Sequence, residues 1–333
     1  MAKSTISKAL SKHPDINEKT RQRVLSAAER YQYHPSWIAQ ALTTKKTRLI
    51  GLIMHHPGSG FFIEIAGSVV AGAGGRGYRI TLDFSGDNPE TEREILLDYR
   101  RRQIEGVIIA PSLKDSAAML AASCGDMPYV IIDHYLQETK APFIGSDFRK
   151  IGYLAARHLL ELGHRRIAYL GGFSGYPASR ARRAGFLMAC REFGASIKTG
   201  WICHESFDAA VGEKQALMLL SKYPELTGMV CAGGTLAMGA LRAARELGRD
   251  VPKDISIIGV SALGNISAVS QRPQEIGRLA VDTLFRRMSG GRVKPRQIVG
   301  IELDIRGTTA VPPISQDYKI SRTAARAARA RTT

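Results

Sequence analysis

The sequence predicts an α/β protein in which two doubly wound parallel-sheet lobes follow a small, partial all-α headpiece. Three observations carry this. From Arg48 onward, short apolar runs alternate with amphipathic stretches, the strand–helix order that builds parallel sheets covered by helices. The alternation then runs through a second time, and two lobes of ordinary size fit this better than one very wide sheet. Residues 1–47 break the pattern with short, basic helical segments and no strand.

The elements follow in order. RLIGLIM, residues 48–54, is a short apolar run suited to a buried parallel strand. A helical stretch runs from Phe61 to about Arg76 and stops at Gly77, a residue suited to the helix C-terminus. YRITLDF, a helix over ETEREILLDYRRR, EGVIIAP, a helix around DSAAMLAASC, and MPYVIID complete the first lobe. The second opens with the amphipathic helix DFRKIGYLAARHLLELG, stopped by Gly163, and the strand HRRIAYLGG. Helices over ASRARRAGFLMACREFG, DAAVGEKQALMLLSKY and TLAMGALRAARELG alternate with the strands WICHE and GMVCAGG. DISIIGV, a helix over QEIGRLAVDTLFRRM, and RQIVGIELDI close the set. The lobes are expected at about 48–145 with 274–300, and 146–273 with 301–313. A headpiece over 1–34 and a hinge and linker over 35–47 precede them. After Pro312–Pro313, the tail 314–333 has few apolar residues and regularly spaced arginines; it reads as disordered, with a nucleic-acid contact as the alternative.

A net charge of +17 over 333 residues is unusual, and its placement is informative. Residues 1–48 carry ten Lys/Arg against three Asp/Glu, and residues 316–333 five against one. Basic ends on a milder body point to a polyanionic partner. The four cysteines are scattered without a CxxC pair or metal-ligand spacing, which suits a reduced cytoplasmic protein. No apolar run is long enough for a membrane span, and the N-terminus has no signal-peptide core.

Motifs for catalysis are weak. Gly72-Ala73-Gly74-Gly75-Arg76-Gly77 matches the dinucleotide fingerprint, which must follow a strand and open a helix so that the helix N-terminus meets the pyrophosphate. Here it ends a helix and precedes a strand, so helix-end packing is the better reading. His55 and His56 stand at a strand end and read as a loop feature rather than a metal pair. His158 and His164 read as surface residues, and Ser174 lacks the GxSxG frame. The chain is expected to be no enzyme, and no cofactor or metal is implied.

Ser4 to Ser11 forms a short helical pattern with Ile6 and Leu10 on one face and Lys3, Ser4, Thr5, Ser7 and Lys8 opposite. Small hydroxyls and lysines suit a major-groove helix, approaching closely and donating to phosphates and base edges. His13-Pro14 breaks that helix, and Asn17 caps a second, EKTRQRVLSAAERYQ, whose apolar face includes Val24, Leu25 and Ala28.

STISKALS…PDINEKTRQRVLSAAERYQYHPSWIAQAL resembles the lac-repressor (LacI/GalR) family of bacterial transcription regulators. The resemblance continues through TRLIGLIM, SGFFIEIAGSVV, GHRRIAYLGG, SRARRAGF, LRAARELGRDVPKDISIIGV and RGTTA, and covers about residues 3–310. It implies periplasmic-binding-protein-like lobes, a recognition helix, a hinge helix, and a homodimer on a roughly palindromic double-stranded DNA operator. It makes Lys3, Ser4 and Lys8 base-reading, and Thr5, Ser7 and Tyr33 phosphate-positioning. Leu42 falls where the family inserts a leucine wedge into the minor groove; hinge-helix packing is the alternative. For a small-molecule effector, sugar-like or carboxylate-like, it implies Phe61, Phe62, Asp147 and Arg182, with surface charges on an amphipathic helix as the alternative for Arg180 and Arg182.

The sequence also departs from the family. The helix that precedes the recognition helix in that family is missing from the sequence, which reads as a misplaced start or a truncation, and weak DNA binding is expected. The usual polar pair after one strand is Gly233-Gly234, and that after SIIGV is Ser261-Ala262, in a loop about seven residues shorter than expected. Gly233 and Ser261 therefore mark the effector positions where a typical sugar would lose its anchors. The resulting expectation is a cytoplasmic, dimeric, ligand-responsive regulator, most simply a repressor. The alternative is a cytoplasmic small-molecule-binding module without DNA-binding activity.

Overall fold

A computed structural model describes residues 3–10, 14–33, 41–42, 44–55, 58–112, 116–136, 139–262 and 264–313. The expected basic tail and most of the expected hinge helix lie outside the described residues. Those described fall into two compact units, 1–49 and 50–333.

In the first unit α1 (Lys3–Leu10) packs on α2 (Glu18–Arg30). Asn17 caps α2 by accepting from the Thr20 amide at 2.8 Å, which satisfies one of the orphan donors of the first turn. The buried face matches the predicted one only at Val24. Ala9 and Val24 are inside, whereas Ile6 and Leu25 are 38% and 39% exposed. A small residue at the crossing lets two short helices approach closely, and the bulkier neighbours are left at the margin.

The second unit holds two six-stranded sheets. The N-lobe sheet has the order β11–β5–β4–β3–β1–β2. Its strands are β1 (Leu49–Met54), β2 (Arg79–Phe84), β3 (Gly106–Ile109), β4 (Tyr129–Ile132), β5 (Phe143–Ser146) and, from far along the chain, β11 (Arg296–Val299). The C-lobe sheet has the order β12–β10–β9–β8–β6–β7, from β6 (Ile167–Gly171), β7 (Ile202–His204), β8 (Gly228–Cys231), β9 (Ser256–Val260), β10 (Ala268–Ser270) and β12 (Glu302–Asp304). The pairs β1–β3, β3–β4, β4–β5 and β5–β11 are parallel, as are β6–β7, β6–β8, β8–β9 and β9–β10; β12 runs antiparallel to β10. The strand-and-helix alternation predicts these parallel sheets. It misses β5 and β10, whose FIGS and AVS lack the continuous apolar run that marks the similarly short β3 and β4. RQIVGIELDI is not one strand: it leaves the N-lobe as β11 and enters the C-lobe as β12 around Gly300.

The helices of the N-lobe are α3 (Gly60–Gly74), α4 (Pro89–Arg101) and α5 (Ser116–Cys124); those of the C-lobe are α6 (Phe148–Glu161), α7 (Pro177–Glu192), α8 (Ala209–Lys222) and α9 (Gly234–Glu246). α10 (Pro273–Met288) returns from β10 to pack on α3 and the N-lobe strands. The glycine-rich stretch closes α3, with Gly72 against Val281 of α10. Within the C-lobe α6 and α7 touch through backbone. A Cβ at Gly152 would overlap the Arg182 carbonyl, and one at Gly185 would overlap that of Arg149. Two glycines facing opposite ways thus fix the height of α7, and with it Arg182.

His158 and His164 are buried rather than on the surface. His164 Nε2 lies 2.9 Å from the Ala310 carbonyl and its Nδ1 2.9 Å from Thr227 Oγ1, while His158 Nε2 lies 3.0 Å from Thr309 Oγ1. Both tie the chain after β12 to the C-lobe. Helical periodicity hides this, because their partners lie far along the chain. No helix among the described residues is long and apolar enough to cross a membrane.

Candidate functional site

In a parallel sheet every strand delivers its following loop to one edge, so ligands gather at the carboxyl ends of strands. Here those ends assemble a cleft from both lobes. The N-lobe contributes His55 after β1, Asp87 after β2, Pro111 and Ser112 after β3, and Asp133 and His134 after β4. The C-lobe contributes Phe173 and Tyr176 after β6, Phe207 after β7, Gly233 after β8, Ser261 after β9 and Gln271 after β10.

At its centre is Arg182, on α7 and 8% exposed, donating to Gln271 Oε1 at 3.0 Å. Its guanidinium carbon sits 4.8 Å from the ring centre of Phe148 and 6.0 Å from that of Phe207. Cation–π contact is strongest where water is excluded. Burial lowers the Arg182 pKa and Asp133 opposes that shift. Among the described residues the buried Arg182 Nε has no hydrogen bond, a donor left for an oxygen-bearing ligand. Arg182 is therefore no surface charge; Arg180 is exposed and donates to the carbonyls of Ser174 and Gly175.

Tyr176 joins the lobes. Its hydroxyl bonds to Asp87, its ring stacks on His134 at 5.8 Å and 23°, and Phe207 lies beyond it at 6.5 Å. Burial first, then the Asp87 bond, raises its pKa. His134 is itself pushed down, chiefly by burial. His55 sits 4.8 Å from His134, ring to ring, and 5.4 Å from Phe62. His55, Asp133 and His134 each place one potential metal-ligand atom within 4.8 Å of the others. The sequence treats His55 as a loop feature because its partners belong to β4, distant in the chain.

Of the expected effector residues, Arg182 and Phe62 join this cleft. Phe61 packs edge-on to Phe62 at 5.1 Å in the N-lobe core. Asp147 is exposed and caps α6, accepting from the Lys150 amide at 3.0 Å. Gly233 lies under Phe207, where a Cβ would come 3.0 Å from the ring, and Gly234 abuts the Ala262 backbone. The Phe207 ring and neighbouring backbone thus occupy the space that longer polar side chains would need. Ser261, in a left-handed conformation at φ 47, lines a hollow with Glu64, Gln274 and Arg306, and its hydroxyl accepts from the Gln271 amide at 3.4 Å. Asp87, Asp133, His134, Tyr176, Phe207 and Gln271 are absent from the expected set. Each follows an apolar run or borders the next helix, so the strand-end rule was the signal for them.

In the headpiece Thr5 is half-buried on the face of Ala9, and Lys8 is exposed and 3.1 Å from Asp15. Tyr33 and Leu42 are 56% and 75% exposed. The side chains of Lys3, Ser4 and Ser7 lie outside the described ones.

Residues 156–309 match the periplasmic binding protein-like domain family. The HTH-type transcriptional repressor PurR of Klebsiella pneumoniae (strain 342) is 30% identical over 307 residues, spanning 89% of this chain and 89% of its own length. The Lac repressor dimer bound to operator and the anti-inducer ONPF superposes with a TM-score of 0.81 at 25% identity, covering 92% of this chain and 95% of its own. A LacI family transcriptional regulator from Mycobacterium smegmatis gives 0.68 at 27% identity, covering 80% and 100%. With this relationship running along nearly the whole sequence, and with two parallel-sheet lobes closing on a buried arginine, the chain belongs to the lac-repressor (LacI/GalR) family of transcriptional regulators.

Proposed function

We propose that the chain is a cytoplasmic repressor that binds a palindromic operator as a homodimer and answers to a small molecule held between its lobes. One observation supports the effector half above others. Arg182 is buried between rings with an unpaired Nε, at the meeting point of strand ends from both lobes. A ligand there changes the free energy of closure by its differential affinity for the closed and open forms, and that difference is what the DNA-binding unit would read. The aromatic wall around Arg182 favours a flat or carboxylate-bearing ligand over a sugar, because Gly233 and Ser261 supply little to bind hydroxyls.

The operator half rests on α1 and α2, on exposed Lys8, and on Leu42, whose apolar side chain is three-quarters exposed. An unburied leucine beside basic residues suits a wedge that finds its apolar contact between base pairs. At eight residues α1 is shorter than the roughly 12–15 an isolated helix needs in water, so it depends on its packing against α2.

The test selects duplexes from a random pool at moderate salt, using residues 1–333 and the same chain preceded by a helix of the family type. Enrichment of one palindrome by the preceded form, lost with Leu42→Ala, is the expected result. No enrichment by either form overturns the operator reading and leaves a ligand-binding module without DNA-binding activity.

A further inference from the structure

His55, Asp133 and His134 pose a problem of hydrogen-bond accounting. His134 Nδ1 lies 3.2 Å from the Pro111 carbonyl, which can only accept, so Nδ1 carries the proton. The neutral ring then turns the lone pair of Nε2 toward Asp133 Oδ2, 3.3 Å away. Two acceptors face each other in a buried place. At His55, Nδ1 lies 2.5 Å from Asp87 Oδ1, and neither ring nitrogen, both of them buried, makes a hydrogen bond among the described residues. Asp133 Oδ1 is likewise buried without a partner. Asp133 and His134 are 7% and 8% exposed and His55 5%. Buried acceptors left without donors are costly and uncommon.

A divalent cation resolves all three. Two ligands bound at about 2.0–2.1 Å in a tetrahedron stand roughly 3.3–3.4 Å apart, the separation of His134 Nε2 and Asp133 Oδ2. Metal-bound histidines give their other N–H to a carboxylate or a carbonyl. Asp87 and Pro111 occupy those places for His55 and His134. Asp87 and Asp133 both hold left-handed backbone, at φ 58 and 63, which brings their carboxylates to the cluster at some local cost.

We propose that His55 Nε2, His134 Nε2 and the Asp133 carboxylate form a divalent-cation site in the cleft. The two imidazoles and one carboxylate suit zinc, and a fourth position remains for water or for a donor atom of an effector. The site deepens the effector-cleft reading by naming the class of ligand, and it rests on that reading only for its regulatory meaning. Tyr176 bonds to Asp87 and stacks on His134, so occupancy reaches the C-lobe through its ring.

The experiment uses the full chain, stripped with a chelator and dialysed, with zinc alone as the probe. Titration against a competing chromophoric chelator is expected to give one tight equivalent per chain. His134→Gln and Asp133→Asn should weaken it by at least a hundredfold, Asp87→Asn by roughly tenfold to a hundredfold, and His158→Gln not at all. X-ray absorption of the zinc-loaded wild-type chain tests the ligands even if a variant fails to fold. Two imidazoles with oxygen are expected, and a first shell containing sulfur overturns the site. So does the absence of a stoichiometric equivalent, or equal uptake by folded His134→Gln. No DNA enters the measurement, so its failure leaves the operator reading standing, and failure of duplex selection leaves the cation site standing.

Discussion

Around the ends of its strands the N-lobe presents His55, Asp87, Glu92, Asp133 and His134, whereas the C-lobe presents Phe148, Phe173, Tyr176, Phe207 and, among charges, Arg182. Beneath these rims the lobes are alike, each a six-stranded, mostly parallel sheet with buried aliphatic strands. The C-lobe rim is aromatic and cationic, and its arginine is held by stacking. The N-lobe rim is acidic and histidine-rich; on both rims buried polar atoms lack hydrogen bonds among the described residues, Asp133 Oδ1 on one and Arg182 Nε on the other. One architecture therefore carries two chemistries, because the strand-end loops can vary while the core stays apolar. Family membership makes the protein a transcriptional regulator and not an enzyme.

The comparison breaks most severely in the C-lobe. Gly185→Val places two methyl groups against the Arg149 carbonyl and the Tyr153 amide. No rotamer removes a clash with backbone, so α6 and α7 must separate. A loss of about 3 kcal/mol or more is expected, the upper end for overpacking. Denaturant unfolding measures it, and a loss below about 1 kcal/mol would show that the helix pair can yield.

Next comes the pH response, which has opposite signs in the two lobes. Burial raises the Glu92 pKa to about 7, against which hydrogen bonds from Ser112 act, including its amide at 2.7 Å. Its folded value exceeds its unfolded value, so the folded state holds the proton more tightly between pH 4.5 and about 7. Ionisation above that range costs stability. Glu92→Gln is expected to stabilise the protein by up to about 3 kcal/mol at pH 8 and by nothing near pH 4. His164 behaves the other way. Burial lowers its pKa, so the unfolded chain takes the proton first and stability falls as pH drops below 6.5. His164→Asn should cost about 2 kcal/mol at pH 8, where its neutral bonds are intact, and less at pH 5. Melting the two variants across pH 4–8 separates the lobes; parallel curves would remove the distinction.

These residues also show how far sequence reaches. The strands and long helices are legible because apolar periodicity is local. β5 and β10 are not, since FIGS and AVS mix small and polar residues with apolar ones and gain their identity from the strands they pair with. Phe62 and Arg182 are legible through the resemblance, and Asp147 and Ser261 are placed by it at positions where the structure engages them in capping and backbone contact. His134 was illegible for a physical reason. Its meaning lies in Pro111, His55 and Tyr176, which the sheet order and lobe closure bring together from separate strands.

The smallest expected effect bears most directly on how the two rims work together. Tyr176→Phe keeps the ring that stacks on His134 and removes only the hydroxyl bonded to Asp87. A single bond to a charged acceptor contributes about 1–2 kcal/mol when partly buried. That is small against the stability of a domain but large against the few kcal/mol that separate two states of a hinged protein. The variant should therefore melt within a few degrees of wild type while its closed-to-open ratio falls about fivefold to thirtyfold. Small-angle scattering of the full chain, or the distance between labels on the two lobes, reads that population. An unchanged distance distribution would mean that stacking on His134, rather than the hydroxyl, latches the lobes. The Asp87 carboxylate would then serve His55 alone.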